Sequence, residues 1–135
     1  MEKLCLYTDG GSRGNPGPAG VGIVLIDDKG TILKQEGRYL GEKTNNEAEY
    51  EALIWGMTQA LSLKPQSLDC FLDSQLVVNQ LNGFYRIKKA HLQPLATKIK
   101  SLEKLLGKVS YIYIPREENS IADNMVNEAL DNQAA

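Results

Sequence analysis

Four acidic side chains in this sequence stand at points suited to chemistry: Asp9 in LYTDGG, Glu49 in TNNEAEY, Asp73 in FLDSQ and Asp123 in SIADNM. Carboxylates brought together repel one another and raise each other's pKa unless a cation lies among them. A cluster of this kind without a matching Lys or Arg calls for a hard cation with oxygen ligands, and Mg2+ or Mn2+ is the natural occupant. Taken one at a time, the same residues suit strand ends and first helical turns for capping and dipole reasons, so the chemistry depends on their convergence. Covalent catalysis is the poorer reading. The chain has no GxSxG elbow, its only histidine, His91, is far in sequence from both Cys5 and Cys70, and no oxyanion loop is recognisable.

The elements that must position these acids follow from periodicity. Residues 3 to 9 alternate as a strand that should end near Asp9, because the loop GGSRGNPGPAG after it is too rich in Gly and Pro for regular structure. Val21 to Ile26 and Thr31 to Leu40 read as a hairpin around an Asp-Asp-Lys-Gly turn, so the first three strands are antiparallel. From Thr44 the spacing of Leu53, Ile54, Met57, Ala60 and Leu61 becomes helical, with Asn45 or Asn46 as the expected cap, for about four turns. Glu49 shares a side with Leu53 and should face partly inward. Leu68 to Leu72 reads as a strand, Ser74 to Leu81 as a short helix and residues 91 to 106 as a basic amphipathic helix entered through Pro94. Val109 to Ile114 is a last strand that Pro115 stops, and Asn119 or Ser120 caps a closing helix to about residue 131. The class is mixed α/β.

Composition narrows the remaining choices. The 135 residues, 42% hydrophobic and 24% charged, fit one ordinary domain spanning 1–135, with no second module. No window approaches the ~18 apolar residues of a membrane helix, and the start MEKLCLYTDGG has no signal-peptide pattern, so a cytoplasmic location is expected. Cys5 and Cys70 read as inert buried thiols. Net charge is only −2, but residues 82 to 108 carry Arg86, Lys88, Lys89, Lys98, Lys100, Lys104 and Lys108 against Glu103 alone. One basic stretch therefore stands against an acidic body. Trp55 reads as core, His91 as a solvated helix-start residue, and Glu47 and Glu51 as solvated charges.

The segments YTDGGSRGNPGPAGVG, TNNEAEYEAL, LDSQLVV and PREENSIADNMVNEAL resemble, in order and spacing, the four catalytic blocks of type 1 ribonuclease H, and the resemblance runs through essentially the whole chain. It implies a ribonuclease H-like α/β fold, a five-stranded mixed sheet with helices on both faces. It implies an endonuclease that hydrolyses the RNA strand of RNA/DNA hybrids, leaving 3′ hydroxyl and 5′ phosphate, with two Mg2+ or Mn2+ ions held by Asp9, Glu49, Asp73 and Asp123 when substrate is bound. Such a pair can activate water and neutralise the leaving oxygen in one in-line displacement. The same matching implies that Gly10, Asn15, Asn45, Asn46 and Gln75 meet sugar 2′-hydroxyls and base edges in the minor groove, where amides both donate and accept. Thr44, beside Lys43, would hold a phosphate, although the family's Arg two residues earlier is Glu42 here. The partner expected is the hybrid alone, bound by a monomer with no membrane association.

Two departures from the family pattern bear on activity. Where many members carry a His in a flexible loop ten residues before the last Asp, this chain has Tyr113, and the shortened PREEN loop offers only Arg116. A His titrates near neutrality and can move a proton, whereas Arg stays charged and serves phosphate binding. The large Trp-bearing basic handle of many relatives is reduced to GFYRIKKAH, leaving Arg86, Lys88 and Lys89 with Phe84 and Tyr85. These departures motivate a second reading, a ribonuclease H-fold nucleic-acid-binding module of weak or no activity.

Overall fold

The computed structural model describes residues 2–134. Its strands and helices are β1 Lys3–Ser12, β2 Gly17–Asp27, β3 Ile32–Lys43, α1 Asn45–Leu61, β4 Ser67–Leu72, α2 Gln75–Leu81, α3 Gln93–Leu106, β5 Lys108–Tyr113 and α4 Ser120–Ala134, with 3-10 turns at Ala90–Leu92 and Arg116–Glu118. The strands form one mixed sheet in the order β3-β2-β1-β4-β5. β1 is its central strand, antiparallel to β2 with Leu6 opposite Leu25 and parallel to β4 with Tyr7 opposite Phe71. β2 and β3 pair antiparallel, and β5 runs parallel to β4. Among the described residues no helix is long and apolar enough to cross a membrane.

The main core fills the space between the sheet and the face covered by α1 and α3. Leu4, Leu6, Val21, Ile23, Leu68, Cys70 and Leu72 meet Tyr50, Leu53, Met57, Ile99 and Leu102 there. α4 lies on the opposite face and approaches the strand backbone so closely that a Cβ on Gly22 would collide with the Ala122 carbonyl. α4 packs chiefly on β2 and β3, and less on β1. On the part of that face nearer β4, the rings of Tyr7 and Phe71 stack at 4.7 Å between centroids.

Several expectations are corrected in detail. β1 does not end near Asp9 but continues through Ser12, and β2 begins at Gly17, so only four residues form the loop between them. The glycines that argued for irregular backbone allow close packing instead: Gly10 pairs with Val21, and a side chain there would occupy the space of the Ala48 carbonyl in α1. The cap of α1 is Thr44, not an asparagine. Its hydroxyl accepts from Glu47 N at 3.2 Å while Thr44 N donates to Glu47 Oε1 at 2.9 Å, a reciprocal capping box. Glu47 is therefore engaged at the helix start, and the hydrogen bond from the Thr44 backbone holds its carboxyl below the usual range. Cys70 is buried but Cys5 only half-buried; both are free thiols. Trp55 is core, as expected, 8% exposed and with the Arg38 guanidinium 4.3 Å from its ring centroid.

Candidate active site

Where β4 ends beside Thr8 of β1, the sheet opens into a cleft of about 440 Å³ lined by Asp9, Glu49, Asp73, Asp123, Asn45 and Arg116. Ligand sites of α/β sheets form at such carboxyl ends. Asp9 comes from β1, Glu49 from the second turn of α1, Asp73 from the residue after β4 and Asp123 from the first turn of α4. Each of Asp9, Glu49 and Asp73 places a carboxylate oxygen within 4.8 Å of the other two. Asp123 lines the same cleft outside this trio and pairs with Arg116 at 3.4 Å.

Asp9 and Glu49 are acids kept from water without a counter-cation. Burial pushes Asp9 up to about 7, with Asp73 and Asp123 adding to the rise and a hydrogen bond to Glu49 opposing it. Glu49, only 6% exposed, is raised well above the usual carboxylate range, first by burial and then by Asp9. One backbone group orders both: Gly10 N donates to Asp9 Oδ1 at 3.0 Å and to Glu49 Oε1 at 2.9 Å. The second oxygen of Glu49 is buried without a hydrogen-bond partner. An all-oxygen donor set, a buried lone acceptor and the raised carboxyls of Asp9 and Glu49 fit a hard divalent cation.

The amides on the rim tie loop to helix. Asn45 Oδ1 accepts from Ser12 N at 2.9 Å and Asn15 Oδ1 accepts from Asn45 N at 3.0 Å. The Asn45 side-chain oxygen is thus used internally, in a residue that lines the cleft. Gln75 is exposed at the first position of α2. Thr44 is at the α1 cap, with its hydroxyl oxygen already accepting from Glu47. Asn46 does not join the acids. It lines a second groove of about 500 Å³ with Phe84, Tyr85, Arg86, Lys88 and Lys89. The two aromatics are 75% and 54% exposed. The basic stretch divides accordingly: its first three cations line this groove, while Lys100 on α3 is spent on Leu81 O and Glu103. His91 is exposed, and Tyr113 is 45% exposed on β5.

Sequence reasoning missed two contributors to the site. Asn119, read only as a helix cap, is 2% exposed and donates to Asp73; its place four residues before Asp123 was the available signal. Arg13, the one cation of the GSRGNPG turn, lines the cleft and pairs with Asp131 of α4 at 2.7 Å.

Comparison with known proteins agrees with this geometry. The family described as reverse transcriptase-like matches residues 7–129. A ribonuclease H of Clostridium botulinum is 32% identical over 97% of this chain and 97% of its own length. A bifunctional protein of Mycobacterium tuberculosis is 38% identical over 96% of the chain, which spans only 36% of that relative. The crystal structure of LC11-RNase H1 in complex with an RNA/DNA hybrid superposes with a TM-score of 0.94 at 39% identity, covering 98% of this chain and 99% of that one. With the strand order, the carboxylate trio and a ribonuclease H matched along 97% of its own length, the chain belongs to the type 1 ribonuclease H family.

Proposed function

We propose that the chain is a divalent-metal-dependent endoribonuclease, working as a cytoplasmic monomer, that hydrolyses the RNA strand of RNA/DNA hybrids and leaves 3′ hydroxyl and 5′ phosphate. The observation that carries this reading is the convergence of Asp9, Glu49 and Asp73 to within 4.8 Å in a cleft rimmed by amides. The hybrid bound in the LC11-RNase H1 crystal supports the substrate. Asp9, Glu49, Asp73 and Asp123 would hold two Mg2+ or Mn2+ ions, which supply Lewis-acid stabilisation and a nucleophilic water when bound.

The protein's own groups bind and orient. Gly10 N holds one oxygen each of Asp9 and Glu49, so these carboxylates are set before any ion arrives. Asn15, Asn45 and Gln75 offer amides to ribose 2′-hydroxyls and base edges. Arg116, 77% exposed in its side chain and lightly held by Asp123, is placed to leave that carboxylate for a phosphate. Thr44 with Lys43, and Asn46 with Arg86, Lys88 and Lys89, serve the backbone of the hybrid away from the scissile bond.

The test is incubation of the purified chain with end-labelled RNA/DNA, RNA/RNA and DNA/DNA duplexes in Mg2+, Mn2+ or EDTA. Cleavage confined to the RNA strand of the hybrid and abolished by EDTA is expected. Hybrid binding without cleavage in either metal would leave the binding-module reading, and cleavage of DNA/DNA would reassign the substrate.

A further inference from the structure

One neutral side chain reaches into the acidic trio. The carboxamide of Asn119, 2% exposed, donates both of its hydrogens: to the Thr8 carbonyl at 2.8 Å and to Asp73 Oδ2 at 3.0 Å. Its own oxygen is buried without a partner. The amide has one tenable orientation, because turning it over would set its oxygen against two acceptors. The Asn119 carbonyl accepts from Asp123 N at 3.0 Å, so the same residue starts α4. Thr8 precedes Asp9. A single asparagine therefore binds the backbone beside one acid, the carboxylate of a second and the helix that carries a fourth.

Among the described residues Asn119 is the only neutral side chain that donates a hydrogen bond to Asp9, Glu49, Asp73 or Asp123. We propose that Asn119 is a positioning residue that fixes the carboxylate of Asp73 for metal binding. A carboxylate just beyond a strand end, with nothing on its oxygens, rotates about its side-chain torsions, and immobilising it on binding costs entropy. A neutral donor holds one oxygen in place, adds no charge that would repel a cation, and leaves lone pairs free. An orienting partner of this kind typically alters metal affinity 10–100-fold when removed. The inference rests on the metal-dependent reading above.

The experiment measures Mn2+ binding to the metal-free protein by titration calorimetry and the Mg2+ dependence of hybrid cleavage for the parent, Asn119→Ala and Leu130→Ala. Leu130, a buried α4 residue 4% exposed, lines the cleft with an apolar side chain that offers no ligand to a cation. Its truncation loosens α4 against the sheet without touching Asp73. The expected result for Asn119→Ala is Mn2+ affinity lowered about 10-fold or more, cleavage recovered at raised Mg2+, and the Michaelis constant for the hybrid unchanged. Leu130→Ala should lower the melting temperature and leave Mn2+ affinity at the parental value. If Asn119→Ala does not fold, Asn119→Ser keeps a favoured helix-start residue with one donor hydrogen and is read in the same way. Unchanged Mn2+ affinity in the asparagine variant, or an equal loss in Leu130→Ala, would overturn the proposal. A parent that binds no Mn2+ would instead sink the metal-dependent reading.

Discussion

At the scale of single residues the site stores electrostatic stress. Asp9 and Glu49 have folded-state pKa values above their unfolded ones, so the folded metal-free protein binds protons more tightly than the unfolded chain and its stability falls as pH rises. The window runs from the ordinary carboxylate range up to about 7, where Asp9 titrates. Melting curves of metal-free protein should therefore shift to lower temperature between about pH 4 and pH 7. Asp9→Asn and Glu49→Gln should flatten that dependence, raise the neutral-pH melting temperature by several degrees and remove most nuclease activity. A melting temperature that drops with activity kept would show that the acid serves the fold. Gln75 belongs to the same scale. Gln75→Ala removes one neutral hydrogen bond, worth about 0.5–1.5 kcal/mol. In single-turnover assays it should weaken the preference for a ribose-containing strand, with the chemical step at saturation little changed.

At the scale of elements, what holds the acids is close approach of helix to strand. Gly22 faces α4 with no space for a methyl group before the Ala122 carbonyl, and overpacking of this kind typically costs about 1–3 kcal/mol. Gly22→Ala should lower stability by that amount in denaturant melts. It should also weaken activity more than its stability loss explains, because α4 carries Asp123 and starts at Asn119. The order and type of the elements were legible from period changes, as at Thr44 where a strand becomes a helix. Asp9, Glu49 and Asp73 were legible as a set, with Asp123, because the blocks that carry them resemble those of the ribonuclease H family in order and spacing. What misled was composition read locally. Gly10 looks like a turn residue until the helix that needs its bareness is known, and the Ala48 carbonyl that fills that space comes 38 positions later in the chain. Asn119 was read for its local role at a helix start, since nothing in linear spacing shows a donor crossing to Asp73 in another element.

For the whole molecule, charge is divided between an acidic cleft and a basic groove, and a long polyanion touching both is held at two points with different dependence on conditions. The cleft depends on divalent ions; the groove of Arg86, Lys88 and Lys89 depends on ionic strength. Each phosphate neutralised contributes roughly 0.9 to the slope of log affinity against log salt for B-form duplexes. Replacing all three by Ala should flatten that slope and raise the Michaelis constant while the maximal rate holds; an unaltered slope would make them ordinary surface cations. The molecule also carries its own optical gauge. Its single tryptophan, Trp55, is sealed in α1 beneath Arg38, six residues or about 9 Å along the helix from Glu49. Excited at the red edge where the six tyrosines do not absorb, its emission should shift to longer wavelength when α1 leaves the sheet, yet stay constant as Mg2+ is titrated into the folded protein. One fluorophore would then separate loss of fold from loss of ion binding in every variant described above.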